Sequence, residues 1–162
     1  MPKRNKSRAH RSGKQDESGY FDHFDLRRIN DLNDDGLSRI LMNVKGINIL
    51  NVSETAVTND AITLFTKLEY VNELAIRGCT EIDDDCISDL NKLTTLRFLY
   101  VKDTNITIEG LLKLNNLSSL TKLLLSIDDV SIVDEKMQLL LQRFPDCNFV
   151  VNGTPYLFTN EM

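Results

Sequence analysis

Tryptophan is absent from this 162-residue chain, prolines number three and histidines two, and these scarcities narrow what it does. The only imidazoles, His10 and His23, both precede the periodic part of the chain. No Ser-His or Cys-His pair can therefore be built on that part, and neither catalysis nor a catalytic residue is expected. The seven glycines form neither a P-loop nor a dinucleotide fingerprint, so no cofactor is expected. Three cysteines, Cys79, Cys86 and Cys147, contain no C-x-x-C pair and leave an odd count, which reads as reduced, buried thiols rather than a disulfide framework. No apolar run approaches the roughly 18 residues of a membrane span, and no signal-peptide core is present. An intracellular, cytoplasmic protein without a transmembrane segment is expected.

Charge is unevenly distributed. The net charge is −5, yet residues 1–14 carry Lys3, Arg4, Lys6, Arg8, Arg11 and Lys14 with no acid, so residues 15–162 sum to −11. Residues 1–20 lack apolar periodicity and read as a disordered basic tail. Beyond a solubilising role, such a tail fits nucleic acid or anionic lipid.

Residues 21–46 read as a helical N-terminal cap. Phe24, Leu26, Ile29 and Leu32, then Leu37, Ile40, Leu41 and Val44, give an apolar stripe, and the segment looks like a repeat that has lost its strand. Asp31, Asn33, Asp35 and Gly36 match half of a calcium loop, but its twelfth position is Met42 instead of the bidentate Glu. Asp83-Asp84-Asp85 reads as a helix start, where acids are favoured. No metal is expected at either place.

Residues 47–162 contain a unit repeated five times: an apolar strand residue, another two later, a small ladder residue five later and an apolar turn residue about seven later. Leu50, Val52, Thr55 and Val57 form the first, and Leu74, Ile76, Cys79 and Ile82 the second. Leu99, Val101, Thr104 and Ile106 form the third, Leu123, Leu125, Asp128 and Val130 the fourth, and Phe149, Val151, Thr154 and Tyr156 the fifth. Units before the fifth, which has no helix after it, resume after the turn with a short helix, as in Thr107 as cap followed by Leu111, Leu114 and Leu117. A unit of this kind cannot bury its own face and must stack on neighbours.

The pattern resembles the leucine-rich repeat, with Thr or Cys mostly in place of Asn at the ladder position. The 24–26-residue spacing, the segments T-x-x-A-I, D-x-x-C-I and T-x-x-G-L, and the ending Phe144-Pro145-Asp146-Cys147 resemble the bacterial and cysteine-containing types. That likeness implies an α/β fold: a right-handed solenoid of about five repeats, parallel strands on a concave face, short helices on the convex face, and a C-terminal cap. A narrower similarity, through Cys79 to Cys86, Asn105-Ile106-Thr107, Gly110 and Leu123 to Ser126, is to ATP synthase subunit s-like or distal membrane arm assembly proteins. It implies a non-enzymatic assembly factor of the mitochondrial matrix and inner membrane.

On such a template the outward strand residues line a concave face. Phe98, Tyr100, Leu124 and Val150 fall together there, with Arg77 and Lys102 beside them, the composition of an interface centre. The expectation is a monomeric scaffold or adaptor that binds a protein or peptide, the two cations favouring an acidic one. The competing expectation is that Pro155-Tyr156-Leu157-Phe158 folds over the patch as an end cap.

Overall fold

Periodic burial along the chain builds a sheet one strand at a time. The computed structural model describes residues 19–127 and 133–157, the side chain of Val133 excepted. In chain order its elements are Tyr20–Asp25 (β1), Asp34–Leu41 (α1), Gly46–Asn51 (β2), Asn59–Phe65 (α2), Tyr70–Ala75 (β3), Ile87–Leu90 (α3), Phe98–Tyr100 (β4), Ile108–Leu111 (α4), Lys122–Leu125 (β5), Val133–Arg143 (α5), Asn148–Val151 (β6) and Thr154–Pro155 (β7). The strands form one seven-stranded α/β sheet in sequence order, β1 to β6 parallel and β7 antiparallel, not closed into a barrel. Among the described residues no helix is long and apolar enough to cross a membrane.

Three apolar residues per unit point to the helix side. They are Ile47, Leu50 and Val52, then Val71, Leu74 and Ile76, then Leu96, Leu99 and Val101, then Leu120, Leu123 and Leu125, all nearly free of solvent contact. Helix residues such as Leu37, Ile62, Phe65, Leu90, Leu111, Met137 and Leu140 join them in a single core. The helix starts repeat as regularly. Thr58, Asp83 and Thr107 each accept a backbone N–H in the first turn of the following helix. Three residues after each cap a small buried residue, Ala61, Cys86 or Gly110, lets the helix approach the sheet.

Residues 21–46 depart from the helical reading. Phe21, Phe24 and Leu26 are buried on a strand that pairs with β2 in register, Phe21 with Ile47 and Phe24 with Leu50. This segment is a unit with its strand retained, and the strand begins at Tyr20, inside the stretch assigned to the tail. The spacing i, i+3, i+5 of Phe21, Phe24 and Leu26 is that of Ile47, Leu50 and Val52, and i, i+3 alone does not separate a bent strand from a helix. Helix α1, capped by the Asn33 side chain, follows as expected.

The fifth unit also departs. After β6 the chain turns at Asn152 and Gly153, both with positive φ, and returns as β7, with Val150 opposite Pro155 and Val151 opposite Thr154. Thr154 is thus a hairpin residue and not a ladder residue. Two adjacent left-handed residues, Asn then Gly, favour this tight hairpin over the wider turn of the earlier units. Residues 1–18, Asp128 and Val130 of the fourth unit, and Phe158 lie outside the described residues.

Because β1 to β6 are parallel, the connections form two rims: a leading rim where strands begin and a trailing rim where they end and helices start. Units are tied across the trailing rim. The Thr58 N–H and hydroxyl donate to Asp34 (3.1 and 2.8 Å). Asn59 and Asp83 exchange two bonds (2.7 and 3.1 Å). The Thr107 N–H and hydroxyl donate to Asp84 (2.8 and 2.6 Å). At Gly110 even a Cβ would stand 2.0 Å from Asp84 Oδ1, so glycine is what leaves room for that carboxylate.

Candidate functional site

The sheet face opposite the helices carries the side chains that alternate with the core. In register across neighbouring strands run Asp25, Asn51, Ala75, Tyr100, Leu124 and Val150, and beside them His23, Ile49, Glu73, Phe98, Lys122 and Asn148. Strand β1 thus adds His23 and Asp25, two positions that the helical reading of this segment left off the face.

Four of the six expected site residues come together. Tyr100, Leu124 and Val150 sit directly opposite one another on β4, β5 and β6. Phe98, two residues before Tyr100, meets it edge-on with ring centroids 6.4 Å apart. All four are half-buried, on the sheet face opposite the helices. Phe98 also receives a cation: Lys122 Nζ stands 5.7 Å from its ring centroid. Open space beside them is lined by Glu73, Arg97, Phe98, Thr121 and Lys122.

The two expected cations differ. Arg77 is held between carboxylates, Nη1 3.2 Å from Glu54 and Nε 3.5 Å from Asp103. Its side chain is nearly half exposed, so its charge is shared between these carboxylates and the solvent. Lys102 makes no ion pair among the described residues and stands half-buried two residues after Tyr100. Lys122, which is not among the six expected site residues, supplies the second available charge. Its signal was its register with Phe98.

The chain end does not cover the patch as far as it is described. β7 lies along the edge of β6, and Tyr156 packs against the core, its hydroxyl donating to Asp134 of α5 at 2.9 Å. Burial, with that bond in support, raises the Tyr156 pKa.

The remaining chemistry-bearing residues are occupied structurally. Asp83 accepts from Asn59 and from the Asp85 N–H, and these bonds lower its pKa. Asp89 accepts from Lys92 (2.5 Å) and from Thr63, which lowers its pKa likewise. Cys79 donates to the Val52 carbonyl (3.3 Å) while the Thr55 hydroxyl donates to the same oxygen (2.6 Å). Thr104 closes its own turn on the Val101 carbonyl (2.7 Å). These are the ladder positions, each a small donor for a carbonyl at the strand end. All three thiols are buried, and desolvation pushes Cys86 and Cys147 up to about 12. For Cys86 the acids Asp83, Asp84 and Asp89 add to the effect.

Charge of opposite sign collects on the two rims. The trailing rim carries Asp31, Asp34 and Asp35, then Glu54 and Asp60, then Glu81 and Asp83 to Asp85, then Asp103 and Glu109. The leading rim carries Lys45 and Lys67 ahead of β2 and β3, Lys92 and Arg97 ahead of β4, Lys113 and Lys122 at β5, and Arg143 ahead of β6. No protein-family model matches this chain, and no curated protein matches it either.

Proposed function

We propose that the chain is a non-enzymatic adaptor of the leucine-rich-repeat type, a solenoid whose concave face binds another protein. The fold reading is supported by six strand units spaced 24–26 residues apart, from Phe24 through Leu50, Leu74, Leu99 and Leu123 to Phe149. It gains from the unit of β1, which fits the same L-x-x-L-x-L register.

The observation that carries the binding role is the asymmetry of the open face. Its first three strands present His23, Asp25, Asn51 and Glu73 with only the smaller apolar Ile49 and Ala75, and its later strands present Phe98, Tyr100, Leu124 and Val150 in one contiguous strip bordered by Lys122 and Asn148. A file of apolar side chains on a face without a covering layer marks an interaction surface, and its aromatics are the residue types that anchor interfaces. Lys102 and Lys122 flank the strip, so the partner segment is apolar with carboxylates at its margins.

Capture from native lysate tests this, with the wild type beside Tyr100→Ala/Leu124→Ala and a trailing-rim control, Asp35→Ala. The partner identified by mass spectrometry should then bind the purified wild type and the control alike, and the double variant at least tenfold more weakly, about 1.4 kcal/mol or more. Undiminished affinity in the double variant would sink the reading.

A further inference from the structure

The net charge of −11 after residue 14 implies a body that repels polyanions, yet the fold separates the signs. Acids predominate on the trailing rim, which also carries Arg27, Arg28, Arg77 and Lys102, and cations predominate on the leading rim, which also carries Glu69 and Asp146. Part of this follows from helix ends, because acids suit helix N-termini and bases suit C-termini. That explanation does not reach Lys45, Arg97 or Lys122, which stand at or just before the first residue of a strand, beyond the preceding helix. Nor are these three neutralised: none makes an ion pair among the described residues, whereas Lys92 and Lys136 are paired with Asp89 and Glu109.

Aromatic rings are interleaved with these cations. Tyr20, Tyr70 and Phe98 each open a strand. Tyr20 and Tyr70 lie parallel (interplanar angle 1°, centroids 5.9 Å apart) across Gly46, where a Cβ would stand 2.5 Å from the Tyr70 ring. Lys45 Nζ is 5.6 Å from the Tyr20 ring centroid, as Lys122 is 5.7 Å from that of Phe98. The carboxylates nearby are Glu69, which accepts from the Tyr20 hydroxyl (2.6 Å), and Glu73. Gly19, which precedes β1, also lies at this rim: its carbonyl accepts from the Lys45 N–H at 2.8 Å.

We propose that the leading rim, from Lys45 to Lys122 with Tyr20, Tyr70 and Phe98, is a binding site for single-stranded nucleic acid. Cations beside a row of half-exposed rings are what an unpaired strand uses, phosphates on the charges and bases on the rings. Adjacent strands are about 4.8 Å apart, so Lys45 on the β2 side and Lys122 on β5 are separated by about 14 Å, room for about four stacked nucleotides. A lipid surface fits less well, because the large exposed apolar residues, Met42, Leu139 and Leu157, are scattered and the rim's own rings are half-buried on the sheet.

Fluorescence anisotropy of a labelled, mixed-sequence single strand of about 20 nucleotides against the full chain, at about 50 and 200 mM salt, tests this. Arg97→Gln with Lys122→Gln should weaken binding about tenfold at the lower salt. It should also make log K against log salt shallower by about 1.4, two phosphates at about 0.7 each. Arg27→Gln with Arg28→Gln removes the same charge from the trailing rim and should change affinity less than about twofold. Phe98→Leu keeps an apolar side chain without a flat ring and should cost about fivefold or more. Equal losses from the two charge pairs would reduce the effect to net charge and overturn the site. So would no binding at the lower salt, no effect of Phe98→Leu, or rim-dependent binding of phosphatidylserine vesicles by a chain that ignores the strand.

Discussion

Leu99 and Tyr100 are consecutive residues of one strand and live in different media. Leu99 is fully buried against the helices, in register with Leu74 and Leu123; Tyr100 stands on the uncovered face between Ala75 and Leu124. Both are large side chains of types found in cores as well as at interfaces. What separates them is the period of two, which dictates that one strand serve the core and the surface alternately. The difference between the two faces is therefore one of role: the helix side fixes the fold, and the open side is free to vary, which is how the polar first half and the apolar second half of the same face coexist.

The sharpest way to test that division is to truncate the two neighbours. Leu99→Ala should destabilise the chain by about 3 to 5 kcal/mol, through lost transfer energy and the cavity left behind. Tyr100→Ala should cost about 1 kcal/mol, the loss of an exposed edge contact with Phe98. In thermal unfolding this means a midpoint lowered by about 10 °C or more against about 3 °C. Equal shifts would mean that the strip of Tyr100, Leu124 and Val150 is itself core, covered by some other part of the chain.

The buried thiols also carry a pH signature. Cys86 and Cys147 stay protonated in the folded chain up to about 12, against 9.0 for an ordinary thiol. Raised folded values hold the proton more tightly than the unfolded chain does. Their stability contribution is thus fully present below pH 9 and is lost as pH rises from there toward 12. At pH 10 each thiol should remove on the order of 1 kcal/mol, and Cys86→Ala should flatten the decline of the unfolding free energy between pH 8 and 10. An unchanged slope in that variant would place the alkaline sensitivity elsewhere.

Much of this was legible in the sequence because the repeat carries its own register. The outward files from β2 to β6 followed from the spacing of Leu50, Leu74, Leu99, Leu123 and Phe149, and the cap positions from Thr58, Asp83 and Thr107. Strand β1 was misread because Phe24, Ile29 and Leu32 also satisfy a helical period, and only comparison with Ile47, Leu50 and Val52 resolves the ambiguity. The pairing of Arg77 with Glu54 and Asp103 depends on turn conformation, which spacing does not supply. The charged rims were hidden for a different reason: a linear count does not show that the parallel topology gives one rim an excess of acids and the other an excess of bases.

The turn that leads out of each strand belongs to neither face, and it predicts the smallest of these effects. Glu54, Gly78 and Asp103 occupy the same place in successive units, with φ of 60°, 71° and 58°. Only one of the three is glycine, so the fold tolerates a side chain in the left-handed region there, at a cost of about 1 to 2 kcal/mol. At Gly78 a Cβ would meet Glu54 Cγ at 3.2 Å, the end of a flexible, exposed side chain that can move aside. Gly78→Ala should therefore cost about 1 kcal/mol, the backbone term alone. Gly78→Asn should cost less, because Asn occupies the left-handed region more readily, and Gly78→Val should cost more. Chemical denaturation of the three variants gives that order if backbone conformation governs the turn. An order that followed side-chain volume, with Asn worse than Ala, would mean that packing against Glu54 governs it instead, and the turn would then count with the buried face.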